Sequence, residues 1–225
     1  MAKIVSLLLL LILNLPQVLT AQELEDFIRD PVTQKNIPLY RYQYIERDHS
    51  MQENAKNIGL LYGVAWIVYP IFQPKLFSGA GGWRDYKRNF GQLVFDKDEP
   101  VWNFFIHPLT GSQLYLLFRA DGYSRMGAFG MTTITSTLFE FTVEIFTEPA
   151  SIQDLYQTPV LGSVFGLGLE NFSFYLLNGG TSFGKIIGHL INPATLMPFY
   201  QGRTLIIPKL EPEDKGAMLK LEVNF

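Results

Sequence analysis

Residues 125–147, RMGAFGMTTITSTLFEFTVEIFT, decide the fold, because two periodicities compete in them. Read as a strand, the end of the stretch alternates, with Phe139, Phe141, Val143 and Ile145 opposed to Glu140, Thr142 and Glu144. Read as a helix, Thr133, Ser136, Glu140, Glu144 and Thr147 fall on one narrow polar stripe and most of the rest is apolar. The helical pattern covers the whole stretch, and the alternation covers only its end. A thin polar stripe on an apolar helix faces the interior of a bundle or of a membrane protein. The stretch therefore predicts a helix that turns Ser136, Glu140 and Glu144 inward.

The flanking segments extend this pattern. Upstream, VWNFFIHPLTGSQLYLLF (101–118) is apolar apart from Asn103, His107 and a few small polar residues. Pro108 either starts a helix with His107 at its cap or kinks a longer one, in which case Asn103 and His107 share a face. Downstream, Pro149 ends the first helix, and Ser151-Ile-Gln-Asp154 has the form of a capping box opening the next. That helix carries Gly162 and Gly166 in small-xxx-small spacing. NGGTS is a turn with Thr181 or Ser182 as the next cap, and Gly184 and Gly188 repeat the spacing. NIGLLYGVAWIVYPIF (57–72) is the most continuous apolar run of the middle of the chain. Helices are thus expected near 57–72, 101–118, 125–147, 152–176 and 182–192.

The remainder is less regular. LYRYQYIER (39–47) alternates weakly and suggests a short strand with Tyr40, Tyr42 and Tyr44 on one side. SGAGGWRDYKRNF (78–90) lacks the spacing and lysine of a phosphate loop and reads as a flexible loop. FDKDEP (95–100) is a polar turn without a complete calcium-loop pattern. The tail LKLEVNF (219–225) alternates and predicts a short C-terminal strand. A terminal aromatic on such a strand also closes outer-membrane barrels, so a barrel is the alternative fold, although the middle of the chain lacks a barrel's regular ten-residue alternation.

Composition bounds the class. The chain has 225 residues, 48% of them hydrophobic and 17% charged, and a formal net charge of -3. Residues 1–21 have the form of a secretory signal: Lys3 as a basic start, IVSLLLLLIL as the apolar segment, and a cleavage site after Ala21; an uncleaved N-terminal anchor is the alternative, which the shortness of the apolar run disfavours. Cleavage would remove Lys3 and no acid, so the charge would go from -3 to -4. Such mild acidity without a basic cluster gives no footprint for nucleic acid. With no cysteine in the chain, disulfides, thiolate metal sites and a cysteine nucleophile are excluded. The reading is a mainly α-helical bundle, membrane-associated, in the cell envelope and facing the periplasm. It divides into a signal (1–21), a polar segment (22–55), a helical domain (56–200) and a tail (201–225). The expected partners are membrane lipids or an envelope protein.

Three stretches together, N-F-F-I-H-P-L-x-G at 103–111, S-x-x-x-E-x-x-x-E at 136–144 and E-P-A-S-I-Q-D-L-x-x-T-P-x-x-G at 148–162, resemble a bacterial envelope family known as domain of unknown function 3943. The resemblance covers roughly 95–170. A more distant similarity is to the VanZ-like helical membrane proteins. The resemblance implies a helical, envelope-located domain and no reaction, since none is established for the family.

The polar residues admit two readings. In one, Ser151 and Asp154 form a cap, and His107, Asn103, Ser136 and the glutamates form a structural or partner-binding network in which Arg119, Arg125 or Lys185 balance the carboxylates. In the other, two glutamates one turn apart repel, so that one holds its proton to a raised pH. Glu140 would then serve as acid or base, Glu144 as its charge partner and His107 as ligand or proton carrier in a hydrolase or transferase acting on a lipid-like or cell-wall substrate. Glu140, Glu144 and His107 would offer a divalent metal two oxygens and one nitrogen. Without H-E-x-x-H or a second nearby histidine, however, the sequence assigns no metal and no cofactor. The absence of G-x-S-x-G argues against a serine hydrolase.

Overall fold

The computed structural model describes residues 27–29, 36–38, 40–73, 76, 82–95, 99–179, 181–197, 203–208 and 218–220. The expected signal at 1–21 lies outside them, as does the end of the tail beyond Lys220. The protein is mainly helical. The described residues fall into two compact units, one of residues 27–41 with 205–220 and the other of residues 42–204.

Short strands make up the first unit, two of them running a residue or two past its bounds. β1 (Phe27–Arg29) and β2 (Asn36–Pro38) pair antiparallel, with Ile28 opposite Ile37. β3 (Tyr40–Tyr42), β6 (Arg203–Pro208) and β7 (Met218–Lys220) form a sheet in the order β3–β6–β7. The last two are antiparallel, with Ile207 opposite Leu219. The short strand expected in the tail is thus present in part as β7.

The second unit is the helical bundle. α1 (Met51–Phe72) starts earlier than its apolar run, because Ser50 and Glu53 form a full capping box that fixes its first turn. α2 (Trp83–Asn89) corrects the loop expected there. Its helical turns are held by an Arg88–Asp85 ion pair of 2.9 Å and by Asn89, which is buried and donates to the Ile145 carbonyl at 3.0 Å. A two-residue strand, β4 (Leu93–Val94), pairs in parallel with β5 (Ala150–Ser151).

Pro108 resolves as a kink in a continuous helical segment. Residues Trp102–Ile106 form a π-helical turn that runs directly into α3 (His107–Ala120). Pro108 has no N–H and its ring crowds the preceding turn, so the helix widens just before it. Pro159 repeats the device: α5 (Ile152–Tyr156) passes through a π turn at Gln157–Leu161 into α6 (Gly162–Leu177). These three pieces make one 26-residue segment, Ile152–Leu177, long and apolar enough to cross a membrane by length and composition. α7 (Ser182–Ile191) follows, capped by Thr181, whose hydroxyl accepts from the Gly184 N–H at 3.1 Å.

The deciding stretch is a helix, and the strand reading of its end does not hold. α4 spans Arg125–Thr142. It stops five residues before the expected end, and Glu144–Phe146 form a 3-10 turn. The neighbouring α2 explains the early stop. Asn89 takes the Ile145 carbonyl, the Gly82 N–H takes the Phe146 carbonyl, and the Phe146 ring packs against Trp66, Trp83 and Tyr86.

The core is built on α3. Tyr115, Leu116, Phe118 and Ala120 pack with Tyr44, Tyr123, Ala128, Met131 and Ala194. The glycines work as their spacing predicts. A Cβ on Gly162 would stand 2.6 Å from the Gly111 Cα, and one on Gly166 would stand 2.7 Å from the Tyr115 ring. α3 and α6 therefore approach backbone to backbone. Gly188 lets α7 close on α6 in the same way, over Leu177.

Candidate functional site

The helix stripe on α4 and the capped start of α5 meet inside the bundle. Ser136, Glu140 and Glu144 are all buried, Glu140 to 2% exposure and Glu144 to 8%. Ser151 accepts from the Asp154 N–H at 3.2 Å, as an N-cap should. The Ser151 N–H in turn donates to Glu140 Oε2 at 3.3 Å. This joins the cap to the glutamate stripe and places Asp154, 4% exposed, beside the two glutamates. One carboxylate oxygen from each of Glu140, Glu144 and Asp154 lies within 4.8 Å of the others.

His107 reaches the same place from the first π bulge. Its Nε2 lies 3.3 Å from Asp154 Oδ1, and its side chain is 19% exposed. Its Nδ1 lies 3.4 Å from the Thr158 hydroxyl, which sits on the second π bulge. The two proline-induced bulges thus face one another across the histidine. Asn103, one turn before His107, is buried as well. The structure therefore brings His107, Glu140, Glu144, Asp154 and Ser151 into one constellation, with Asn103 and Ser136 buried one turn away on the same helices.

The electrostatics follow from this packing. Burial pushes the Glu144 carboxyl well above the usual carboxylate range, and the charge and hydrogen bond of Glu140 beside it push the same way. Glu144 Oε2 is buried and meets no hydrogen-bond donor among the described residues. Two of the cations that the sequence offers as counter-ions, Arg119 and Arg125, go elsewhere. Arg119 forms 3.0 Å and 3.2 Å bonds to Glu170 on α6 and a 2.9 Å bond to Glu46, and Arg125 reaches Glu170 at 3.3 Å. Among the described residues, the ion pairs of both arginines go to Glu46 and Glu170 and not to Glu140 or Glu144.

Sequence reasoning missed two groups of residues. Thr158 was legible in principle, being one turn after Asp154 on the capped helix. The second group ties the N-terminal arm of the bundle to the α3–α4 turn: Asp121 accepts from Asn57 at 2.6 Å and from Arg47 at 3.1 Å, with His49 stacked on Tyr123 at 3.6 Å. These partners are more than 60 residues apart, so no local pattern announces them. An open hollow of about 540 Å³ beside them is lined by Arg47, His49, Asn54, Tyr123 and Met131 among others, and a second of about 400 Å³ by Ile58, Tyr62 and Leu138 among others. Neither is lined by a member of the acid–histidine constellation.

Residues 92–199 match the family model of Domain of unknown function (DUF3943). The match contains every member of the constellation and extends past the stretch in which the sequence resemblance was read, to the end of the helical bundle. The family carries no assigned function. No curated protein and no solved structure matches the chain.

Proposed function

We propose that this chain is a membrane-associated helical module of the cell envelope, in which the acid–histidine constellation serves structure or partner binding. The observation that carries the reading is the exposed apolar surface of the bundle. Leu60, Val64, Ile67 and Ile71 on α1, Trp102, Phe104 and Phe105 on the first π bulge, Phe165, Phe172 and Tyr175 on α6, and Phe183, Ile186 and Leu190 on α7 are all exposed. Water-facing helices carry polar residues on such faces, and contiguous exposed apolar surface marks contact with lipid or protein. Exposed tryptophan and tyrosine suit the boundary between headgroups and acyl chains. The sealed packing of Glu140, Glu144 and Asp154 fits a network that fixes how α3, α4 and α5 sit together.

The test is flotation of the purified full chain with phosphatidylethanolamine–phosphatidylglycerol vesicles, beside a variant carrying Ile67→Asp and Ile186→Asp. Co-flotation of the parent and its loss in the variant is the expected result. A parent that stays at the bottom of the gradient as a monodisperse monomer without detergent would sink the reading.

The convergence of His107 on the carboxylates favours a second reading, a membrane-surface hydrolase or transferase using the same residues. Glu140, poised between a protonated Glu144 and the Ser151 N–H, would move the proton, and the partly exposed His107 would carry it to solvent. Loss of a cell-envelope phenotype on Glu140→Gln with folding intact would support chemistry over structure.

A further inference from the structure

We infer that Glu140, Glu144, Asp154 and His107 form a binding site for one divalent transition-metal ion. The site goes beyond both functional readings, since a bound ion could hold the bundle together or take part in a reaction.

Three observations carry the inference. First, three carboxylate oxygens from α4, the 3-10 turn after it and α5 converge within 4.8 Å. Ligands of an ion with bonds of about 2.1 Å stand somewhat closer than this, so small side-chain rotations close the shell. Second, Glu144 is more than nine-tenths buried and its Oε2 meets no donor among the described residues. A carboxylate oxygen in that position is costly unless something positive reaches it, and Arg119 and Arg125 are engaged by Glu170. Third, His107 has the orientation of a metal-ligating histidine. Its Nδ1 faces the Thr158 hydroxyl at 3.4 Å, while its Nε2 lies 3.3 Å from Asp154, the carboxylate through which it joins the cluster. A histidine ligand typically makes such a bond through its other ring nitrogen, which fixes tautomer and direction.

The donor set narrows the ion. Three oxygens and one imidazole nitrogen, with no thiolate available, suit zinc or manganese better than magnesium or calcium, which take oxygen alone. The pattern has no H-E-x-x-H signature because its ligands come from three segments: the first residue of α3, the end of α4 with the turn after it, and the first turn of α5.

The test uses the full chain in detergent, stripped with a chelator and then offered Zn²⁺, Mn²⁺, Mg²⁺ or Ca²⁺ separately. Bound metal is measured by elemental analysis after gel filtration, and thermal stability is followed beside it. One equivalent of zinc or manganese per chain, with a raised melting temperature, is expected. Asp154→Asn should abolish this binding while keeping the helix cap, which uses the Asp154 backbone N–H. Thr158→Val should weaken binding at least about tenfold through the orientation of His107. Circular dichroism of the stripped variants checks that each is folded, and Glu144→Gln gives an independent ligand deletion should Asp154→Asn fail to fold. Absence of stoichiometric zinc or manganese overturns the inference. So does binding that survives both ligand deletions, or selective uptake of magnesium or calcium.

Discussion

Replacing Gly111 by alanine should break the contact on which the α3–α6 interface and the site depend. The added Cβ would stand 1.8 Å from the Thr158 carbonyl oxygen, 2.7 Å from its carbon and 3.1 Å from the Gly162 Cα. These are backbone atoms, so no side-chain rotation relieves the clash. An ordinary carbon–oxygen contact needs about 3.3 Å, and the π bulge at Thr158 would have to move by roughly 1.5 Å. Overpacking a tight interface in this way costs about 1–3 kcal/mol, and backbone-on-backbone contact places the change at the upper end. The displaced residue is the one that faces His107, so the geometry of the site should go with the stability. Urea unfolding in a mild detergent, followed by circular dichroism, measures the loss. Gly130→Ala supplies the control, because a Cβ there meets nothing within 4 Å, and it should stabilise α4 by about 0.5–1 kcal/mol. If Gly111→Ala unfolds at the parent's urea midpoint while Gly130→Ala behaves as expected, the close helix approach at Pro159 is not real.

Three further changes test other parts of the argument. Arg119→Ala leaves Glu170 buried without its principal partner and should cost about 3–5 kcal/mol, whereas Arg119→Met with Glu170→Leu should recover much of it; equal urea midpoints for single and double variants would show that the pair is not coupled. Glu144 has a folded-state pKa raised by burial and by Glu140, so the native state of the metal-free chain binds more protons than the unfolded one. Its stability should therefore fall as pH rises from the unfolded carboxylate value through the folded one, by up to about 1.4 kcal/mol per pH unit. Glu144→Gln, which mimics the protonated acid, should flatten that slope in melts run with chelator, and parallel profiles for the two proteins would refute it. Ser50→Ala removes a cap whose hydroxyl accepts from the Glu53 N–H at 3.2 Å. It should cost about 1 kcal/mol, seen as faster amide exchange in the first turn of α1 and not in α3.

The parts of the fold that follow from local rules were legible. The polar stripe over Arg125–Thr142, the Ser151 cap and the paired glycines on α6 and α7 each have a periodic or positional signature, and each lies where that signature puts it. Local rules ran out where a distant group decided the outcome. Nothing within 139–147 says that α4 stops at Thr142; the stop depends on Asn89 and Gly82 taking carbonyls more than fifty residues away. Residues 83–89 follow a glycine-rich stretch and read as a loop, yet their ion pair and the buried Asn89 make a helix. The carboxylates are visible as a stripe, but of their expected counter-charges, Arg119, Arg125 or Lys185, the two arginines are held by Glu170. Glu170 is the single acid of α6, a helix that otherwise reads through its apolar residues and glycines.

The two prolines account for how a site arises in this bundle at all. An unbroken α3 and an unbroken α5–α6 would each offer a regular face to its neighbour, with backbone groups satisfied internally. Pro108 and Pro159 each widen one turn, and a π turn swings the residues beside it out of the regular register. On one side this points His107 toward Asp154, and on the other it brings Thr158 to the opposite nitrogen of the same ring. Gly111 and Gly162 then let the widened turns come close enough for these contacts to form. These two apolar segments thus carry Pro108 and Pro159 without losing either helix, and the positions where the helices deform are those that hold the histidine. The glutamates enter this arrangement through the Ser151 N–H, which links the α4 stripe to the helix that carries both Asp154 and Pro159. A variant that straightens one bulge, such as Pro159→Ala, should therefore preserve helix content while separating Thr158 from His107. The histidine ring resonances report this directly, and an unchanged His107 environment in that variant would show that the bulges do not position it.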